Sequence, residues 1–192
     1  MIVKQYLDSE IYYIENILSE KDLKTLQEFA KNDNDWNSTN VLTGKGKTTQ
    51  YEKPEIAIKS LNNVIEMKQI YIEMFNNFII PAEPNLNINL SPIIHRTLSK
   101  QTSNPGSTWS MRPHVDERGD SNIKKGLVYY LNDDFEGGEI VYINKKIKHK
   151  PIANSMVIHL ATEEYEHGVK LVNKGTRYFM TNFYKNNDII IP

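Results

Sequence analysis

The chain contains no cysteine, which excludes disulfide staples and thiolate metal sites and fits a cytosolic enzyme. Neither sign of charge is in excess. Its 23 Lys and Arg against 24 Asp and Glu leave a net charge of -1 and a pI near 6.5, so no overall field draws it to nucleic acid or to an acidic membrane surface. No apolar run approaches membrane-spanning length, and the opening Met1-Ile2-Val3-Lys4-Gln5-Tyr6 lacks a signal-peptide core. A soluble intracellular protein, cytoplasmic in location, is the expectation. The composition is rich in Asn, Lys and Ile, which suits an AT-rich genome. If that genome is viral, the compartment is the host cytoplasm.

At 192 residues and 22.3 kDa the chain is expected to be one domain, residues 1–192, with room for a substantial core. Its front reads as helical. Ser19 followed by Asp22 resembles a helix start, after which Leu23, Leu26, Phe29 and Ala30 recur on one face. Leu61, Val64, Ile65, Ile72, Phe75, Phe78 and Ile79 predict a second helix, broken on its stripe only by Lys68 and ended by Pro81 and Pro84. From Asn85 onward short alternating segments dominate, among them Asn87 to Leu90, Ile93 to Leu98 and Ser155 to Leu160. Many short strands suggest a sandwich or jelly roll with the helices packed on one sheet. Residues 1–84 would be helical support and flap, residues 85–192 the core. The polar stretch 32–53, with Trp36 and Tyr51, reads equally as a substrate-covering flap and as a surface excursion pinned by one aromatic.

The residues with the most chemistry are His114, Asp116, His167 and Arg177. On an extended strand, positions i and i+2 share a face about 6.6 Å apart, so His114 and Asp116 can close on one ion. A third ligand is expected from the strand-like segment Glu166 to Leu171, which carries His167. Two imidazoles and a carboxylate on one face of a divalent metal leave positions open for a cosubstrate and O2, the arrangement of non-haem Fe(II) oxygenases. Asp120 is a spare carboxylate, but the parity of Asp116 with His114 favours Asp116. Asn173-Lys174-Gly175 predicts a three-residue hairpin loop pairing Leu171 with Arg177 and His167 with Thr181. Arg177 would then lie about four residues, roughly 13 Å, from the metal ligand. A guanidinium at that distance suits the far carboxylate of a five-carbon diacid, and the cosubstrate that fits is 2-oxoglutarate.

H-x-D alone is a weak motif; its flanks carry more. Pro113-His114-Val115-Asp116, Gly126-Leu127-Val128-Tyr129-Tyr130-Leu131-Asn132, Phe135-Glu136-Gly137-Gly138-Glu139-Ile140, and His167 through Arg177-Tyr178 occur in an ordered, well-spaced series. From about Pro113 to Tyr184 the chain resembles the prolyl 4-hydroxylase branch of the 2-oxoglutarate/Fe(II)-dependent dioxygenases. The resemblance implies an α+β fold built on a double-stranded β-helix (jelly roll). It implies Fe(II) on His114, Asp116 and His167, which are both the metal and the catalytic residues, and 2-oxoglutarate held by Arg177 and Tyr130, with Thr181 and Phe183 lining its pocket. O2 follows as the oxidant, with ascorbate as an accessory reductant. The implied reaction is hydroxylation of a peptide or protein substrate at prolyl residues. Three positions depart from the family pattern: Asn154 stands where a glycine is frequent, Phe183 where a Trp is common, and the usual upstream tyrosine has no counterpart, Trp109 or Thr97 being its candidate substitutes.

Other readings are kept beside this one. A same-superfamily oxygenase acting on nucleic acid would carry a second arginine where Phe183 stands; a small-molecule oxygenase and a non-catalytic jelly-roll binding module complete the set. Neither nucleic acid nor membrane is an expected partner, and oligomeric state is left open. His159 alternates with Val157 and reads as a buried, hydrogen-bonded strand histidine rather than a ligand; His95 and His149 have no partner spacing. Lys145, Lys146, Lys148 and Lys150 read as guards of an edge strand, with an acidic substrate as the alternative.

Overall fold

The computed structural model describes residues 4–32, 36–38, 41–43, 47–49, 57–61, 64–82, 87–88, 93–102, 106–118 and 122–185. A hairpin of β1 (Lys4–Asp8) and β2 (Ile11–Glu15) leads into α1 (Glu20–Lys31), and short strands β3 (Asn37–Ser38), β4 (Val41–Thr43), β5 (Lys47–Thr49) and β6 (Ala57–Ser60) follow. Helix α2 (Ile65–Met74) continues through a π turn at Phe75–Ile79 into a final turn, α3 (Ile80–Ala82). Next come β7 (Asn87–Ile88), β8 (Ile93–Leu98), β9 (Trp109–His114) and β10 (Ile123–Tyr130). The last stretch holds β11 (Glu136–Gly137), β12 (Ile140–Tyr142), β13 (Ile147–His149), β14 (Ser155–Leu160), β15 (His167–Lys170), β16 (Val172–Lys174) and β17 (Thr176–Lys185).

The described chain is mostly β-sheet with few helices, a jelly-roll-like arrangement in which the expected α+β balance shifts toward β. A nine-stranded sheet runs in the order β1-β2-β14-β10-β17-β8-β6-β3, with β7 also paired to β17. A four-stranded sheet in the order β13-β12-β15-β9 carries the C-terminal end of β9 and the start of β15. Strand alternation gives the large sheet two buried faces. Leu127, Tyr129, Leu131, Met156, Ile158 and Met180 share one cluster with Leu26 and Ala30 of α1 and with Met67, Ile70, Tyr71 and Met74 of α2. Val128, Tyr130, Val157 and Phe179 point the other way and cluster with Ile140 and Tyr142 of the small sheet. The candidate site lies on this second side.

Helix α1 begins as its sequence predicts. Ser19 caps it, its Oγ accepting from the Asp22 backbone N–H at 3.1 Å, and Leu26 and Ala30 are fully buried. Helix α2 keeps part of the expected stripe, with Leu61, Phe75 and Ile79 buried and Val64 and Phe78 packed against the core, but its middle is turned. Met67, Ile70, Tyr71 and Met74 face the core, while Ile65 keeps 83% of its exposure and Ile72 37%. Two apolar stripes compete on this segment, and the one with the larger, more flexible side chains fills the core; the π turn then re-aims Phe75 and Ile79 inward. Pro81 lies inside the final turn, not beyond it. Most of the expected flap, including Tyr51, lies outside the described residues, as do Pro84, Asp120 and Leu90. Trp36 is described and packs against the Arg96 guanidinium at 4.4 Å and the Tyr178 ring. The lysine-rich strand β13 is an edge of the small sheet, with Lys148 paired to Glu139 and Lys145 to Asp8 and Glu164.

Candidate active site

His114 ends β9 and pairs directly with His167 at the start of β15, so the two rings stand side by side with centroids 4.5 Å apart. Asp116 does not continue the strand. It opens a short 3-10 turn, Asp116–Arg118, so the carboxylate reaches the histidines by a bend in the backbone and not by strand alternation as the spacing predicted. Its Oδ1 lies 3.5 Å from His114 Nε2 and 4.0 Å from His167 Nε2. Among the described residues, one group of this kind could hold a metal ion: His114, Asp116 and His167, with ligand atoms all within 4.8 Å of one another.

The ligand geometry is prepared. His114 Nδ1 donates to the Arg112 carbonyl at 3.0 Å and His167 Nδ1 to the Tyr165 carbonyl at 3.1 Å. Carbonyls only accept, so the hydrogen sits on Nδ1 in both rings and both Nε2 atoms are turned toward Asp116 as lone-pair donors. Burial pulls the His167 imidazole down to about 3, the neighbouring His159 and His114 adding to this against Asp116, so His167 stays in the uncharged form that metal binding needs. Burial also opposes charge on Asp116, but the imidazoles of His114, His159 and His167 around it hold its carboxyl well below the usual range. At His114 the same burial effect is outweighed by Asp116, which leaves this histidine above its ordinary value. The side chain of His114 keeps 38% exposure while that of Asp116 keeps 4%, so the site opens on the His114 side. An N2O donor set with no thiolate suits Fe(II).

The second half of the site is built by β17. The predicted hairpin does not form: β15 pairs with β9 and β12, β16 with β11, and β17 with β8 and β10. The segment from Leu171 to Gly175 carries the chain from the small sheet to the large one. Gly175 has the left-handed φ of +82° that the loop reading required, but it serves a crossover bend. His167 and Arg177 therefore belong to different sheets, the local loop signal being overridden by the pairing of each strand with a distant partner.

Arg177 lies opposite Thr97 of β8, and Phe179 pairs with both His95 and Tyr130. Arg177 is 2% exposed and Tyr130 fully buried, yet Arg177 Nε and Tyr130 Oη have no hydrogen-bond partner. The guanidinium lies 3.9 Å over the Phe179 ring and 5.2 Å from that of Tyr130. Thr181 Oγ1 is 3.0 Å from His95 Nε2, and His95 stacks on Phe179. Burial, followed by Arg177, pulls His95 down to about 4. Of the two candidates for the missing upstream tyrosine, Thr97 is buried opposite Arg177, whereas half-exposed Trp109 stacks under Lys170.

Sequence reasoning missed several partners. His159 is the buried, hydrogen-bonded histidine it was expected to be, but its Nε2 lies 3.1 Å from Asp116 Oδ2. His95 belongs to the Arg177 end, and its alternation with Thr97 on a clear strand was the available signal. Asn132 closes the Tyr-Tyr-Leu-Asn run by donating to the Thr176 carbonyl and accepting from the Tyr178 N–H, both at 2.8 Å, gripping the backbone on either side of Arg177. Asn154 takes φ +58° where glycine is frequent.

Residues 101–185 match the family model described as the 2OG-Fe(II) oxygenase superfamily. A prolyl hydroxylase from Trichoplax adhaerens, solved with a hypoxia inducible factor peptide fragment, superimposes with TM-score 0.69 at 14% identity over 92% of this chain and 83% of its own. A Pseudomonas putida prolyl-4-hydroxylase gives 0.61 at 14% over 93% of each chain. The viral collagen prolyl hydroxylase of Paramecium Bursaria Chlorella virus-1, in its 2OG complex, gives 0.55 at 14% over 94% of this chain and 97% of its own. At these identities the likeness is one of fold. Comparison with curated protein sequences gives no significant match. The superfamily implies Fe(II), 2-oxoglutarate and O2; the chain's resemblance to it holds in sequence over residues 101–185, and its likeness to prolyl hydroxylases is one of fold.

Proposed function

We propose that the chain hydroxylates a peptide or protein substrate at prolyl residues, using Fe(II), 2-oxoglutarate and O2, and that its two facing sheets are the double-stranded β-helix of that enzyme class. The observation that carries the cosubstrate assignment is Arg177, a buried cation with no carboxylate beside it among the described residues. A charge so placed is costly unless something pairs with it, and a guanidinium fork matches a terminal carboxylate. Tyr130 places its hydroxyl beside it.

In this reading His114, Asp116 and His167 hold the metal through Nε2, a carboxylate oxygen and Nε2. Arg177 and Tyr130 take the far carboxylate of 2-oxoglutarate, and Thr181, tied to His95, lines the wall between them. When bound, Fe(II) with O2 supplies the oxidation: 2-oxoglutarate loses CO2 to become succinate, and one oxygen atom enters a substrate C–H bond. The protein's part is orientation and the exclusion of water from the reacting centre. The open His114 side offers an approach for a chain-like substrate, and a peptide is supported by the Trichoplax relative, whose structure holds one.

The test is succinate release with Fe(II) and 2-oxoglutarate, with and without proline-containing peptides, followed by peptide mass. Peptide-stimulated release with one added oxygen on a prolyl residue is expected. Stimulation by an oligonucleotide or a small molecule instead would reassign the substrate, and no release under any condition would point to a binding module.

A further inference from the structure

His159 stands between Tyr142, which no other part of the site uses, and the candidate metal ligand Asp116. Tyr142, itself fully buried, has its hydroxyl 2.9 Å from His159 Nδ1, and His159 Nε2 lies 3.1 Å from Asp116 Oδ2. A carboxylate only accepts, so Nε2 donates to it, and Nδ1 is left to accept from the tyrosine hydroxyl. The other Asp116 oxygen, Oδ1, is the one facing His114 and His167. The carboxylate is thus divided, one oxygen turned to the metal position and one held by the protein.

Space for this comes from Gly126, which pairs with His159 across the β10–β14 ladder. A Cβ there would lie 2.3 Å from Asp116 Oδ2 and 2.6 Å from His159 Nε2. Neither position tolerates the overlap, so the glycine and the histidine form one device.

We infer that His159, backed by Tyr142 and admitted by Gly126, is a positioning residue that holds Asp116 as a one-oxygen metal ligand. This rests on the proposed metal site. Hydrogen-bonded supports of metal ligands typically contribute 10- to 100-fold in metal affinity. Removing this one also frees Oδ2 to turn toward the ion.

Co(II) titration of the metal-free full chain, read by its visible absorption, tests both levels. Wild type should bind one ion and Asp116→Ala should lose it; failure of either overturns the metal site and the clamp together. Given that result, His159→Phe should bind about 10- to 100-fold more weakly with an altered Co(II) spectrum, and His159→Gln, whose amide N–H can reach Oδ2, should recover most of both. Tyr142→Phe should lose a few-fold with a smaller spectral change, and it carries the test if thermal melting shows that His159→Phe does not fold. Affinity within twofold of wild type and an unchanged spectrum in the folded variants would overturn the clamp while leaving the metal site intact.

Discussion

The two ends of the candidate site, the metal end at His114, Asp116 and His167 and the end built around Arg177, differ in how far the protein satisfies them. At the metal end each imidazole has its second nitrogen tied, and Asp116 is held on Oδ2 by His159. At the other end Arg177 Nε and the Tyr130 hydroxyl, which face each other's side chains, meet no further hydrogen-bond partner among the described residues. One end is preorganised for an ion that binds through lone pairs already aimed at it. The other carries an uncompensated charge, which is tolerable where a ligand will provide the counter-ion. The contrast teaches that the two ends should respond oppositely to mutation: the metal end through lost binding, the carboxylate end through lost binding combined with gained stability.

The largest effect is expected at the metal end. Asp116→Ala removes the only carboxylate of the cluster and should weaken metal binding by more than about 100-fold, beyond the range of hydrogen-bonded supports. Isothermal titration with Fe(II) under nitrogen, or with Co(II) in air, measures it. Retained affinity would mean that Asp116 serves the fold alone.

Arg177→Met sharpens the comparison, because it keeps most of the volume and deletes the charge. The requirement for 2-oxoglutarate should rise by at least about tenfold, since a charge-assisted hydrogen bond contributes about 1.5–3 kcal/mol, with Co(II) binding unchanged. In the ligand-free protein the same substitution should be neutral or stabilising by roughly 1–3 kcal/mol, as for other buried charges replaced by apolar groups. Thermal melting with and without 2-oxoglutarate separates the two. A destabilised ligand-free variant would show that Arg177 has a partner in the resting protein.

The sequence made the cluster legible at the level of residues but not of geometry. His114, Asp116, His167, Arg177 and Tyr130 are recoverable because each sits in a run of characteristic composition. Strands at Ile93–Leu98 and Ser155–Leu160 are legible as short apolar segments between polar ones, but their burial is not: Ser155 to His159 are buried on both faces, and in the first strand only Ile94 and Thr97 are fully buried. The hairpin between His167 and Arg177 was misread because a three-residue loop with a left-handed glycine is equally good as a bend between sheets, and strand pairing is decided by residues far away in sequence. The turned middle of α2 escaped for a related reason: Met67, Ile70, Tyr71 and Met74 form a second apolar stripe, and only the opposing sheet selects between them. The His159 clamp needs three segments to meet, and Gly126 in a strand does not by itself announce whose oxygen fills its missing Cβ.

The smallest effect, and the one that compares the two ends within a single experiment, is the acid response of the metal-free protein. His95 at the carboxylate end is pulled down to about 4 and His167 at the metal end to about 3, against an ordinary value of 6.5. Each takes up its proton more readily in the unfolded chain. Stability from these groups is therefore complete above about pH 6.5 and is lost as pH falls from there toward 4, at about 1.4 kcal/mol per pH unit for each group. His114 has the opposite sign: its raised folded value gives a contribution that is complete below 6.5 and is lost only as pH rises above it, so it leaves the slope between pH 4.5 and 6.5 to the other two histidines. His95→Gln should flatten the melting-temperature profile between pH 4.5 and 6.5 by one histidine's share. A saturating divalent metal should steepen it instead, because protons then have to displace the ion from His167 as well. If His95→Gln left the profile unchanged, the acid response would belong to the metal end alone, and the carboxylate end would not be the electropositive, water-excluded pocket that its buried guanidinium implies.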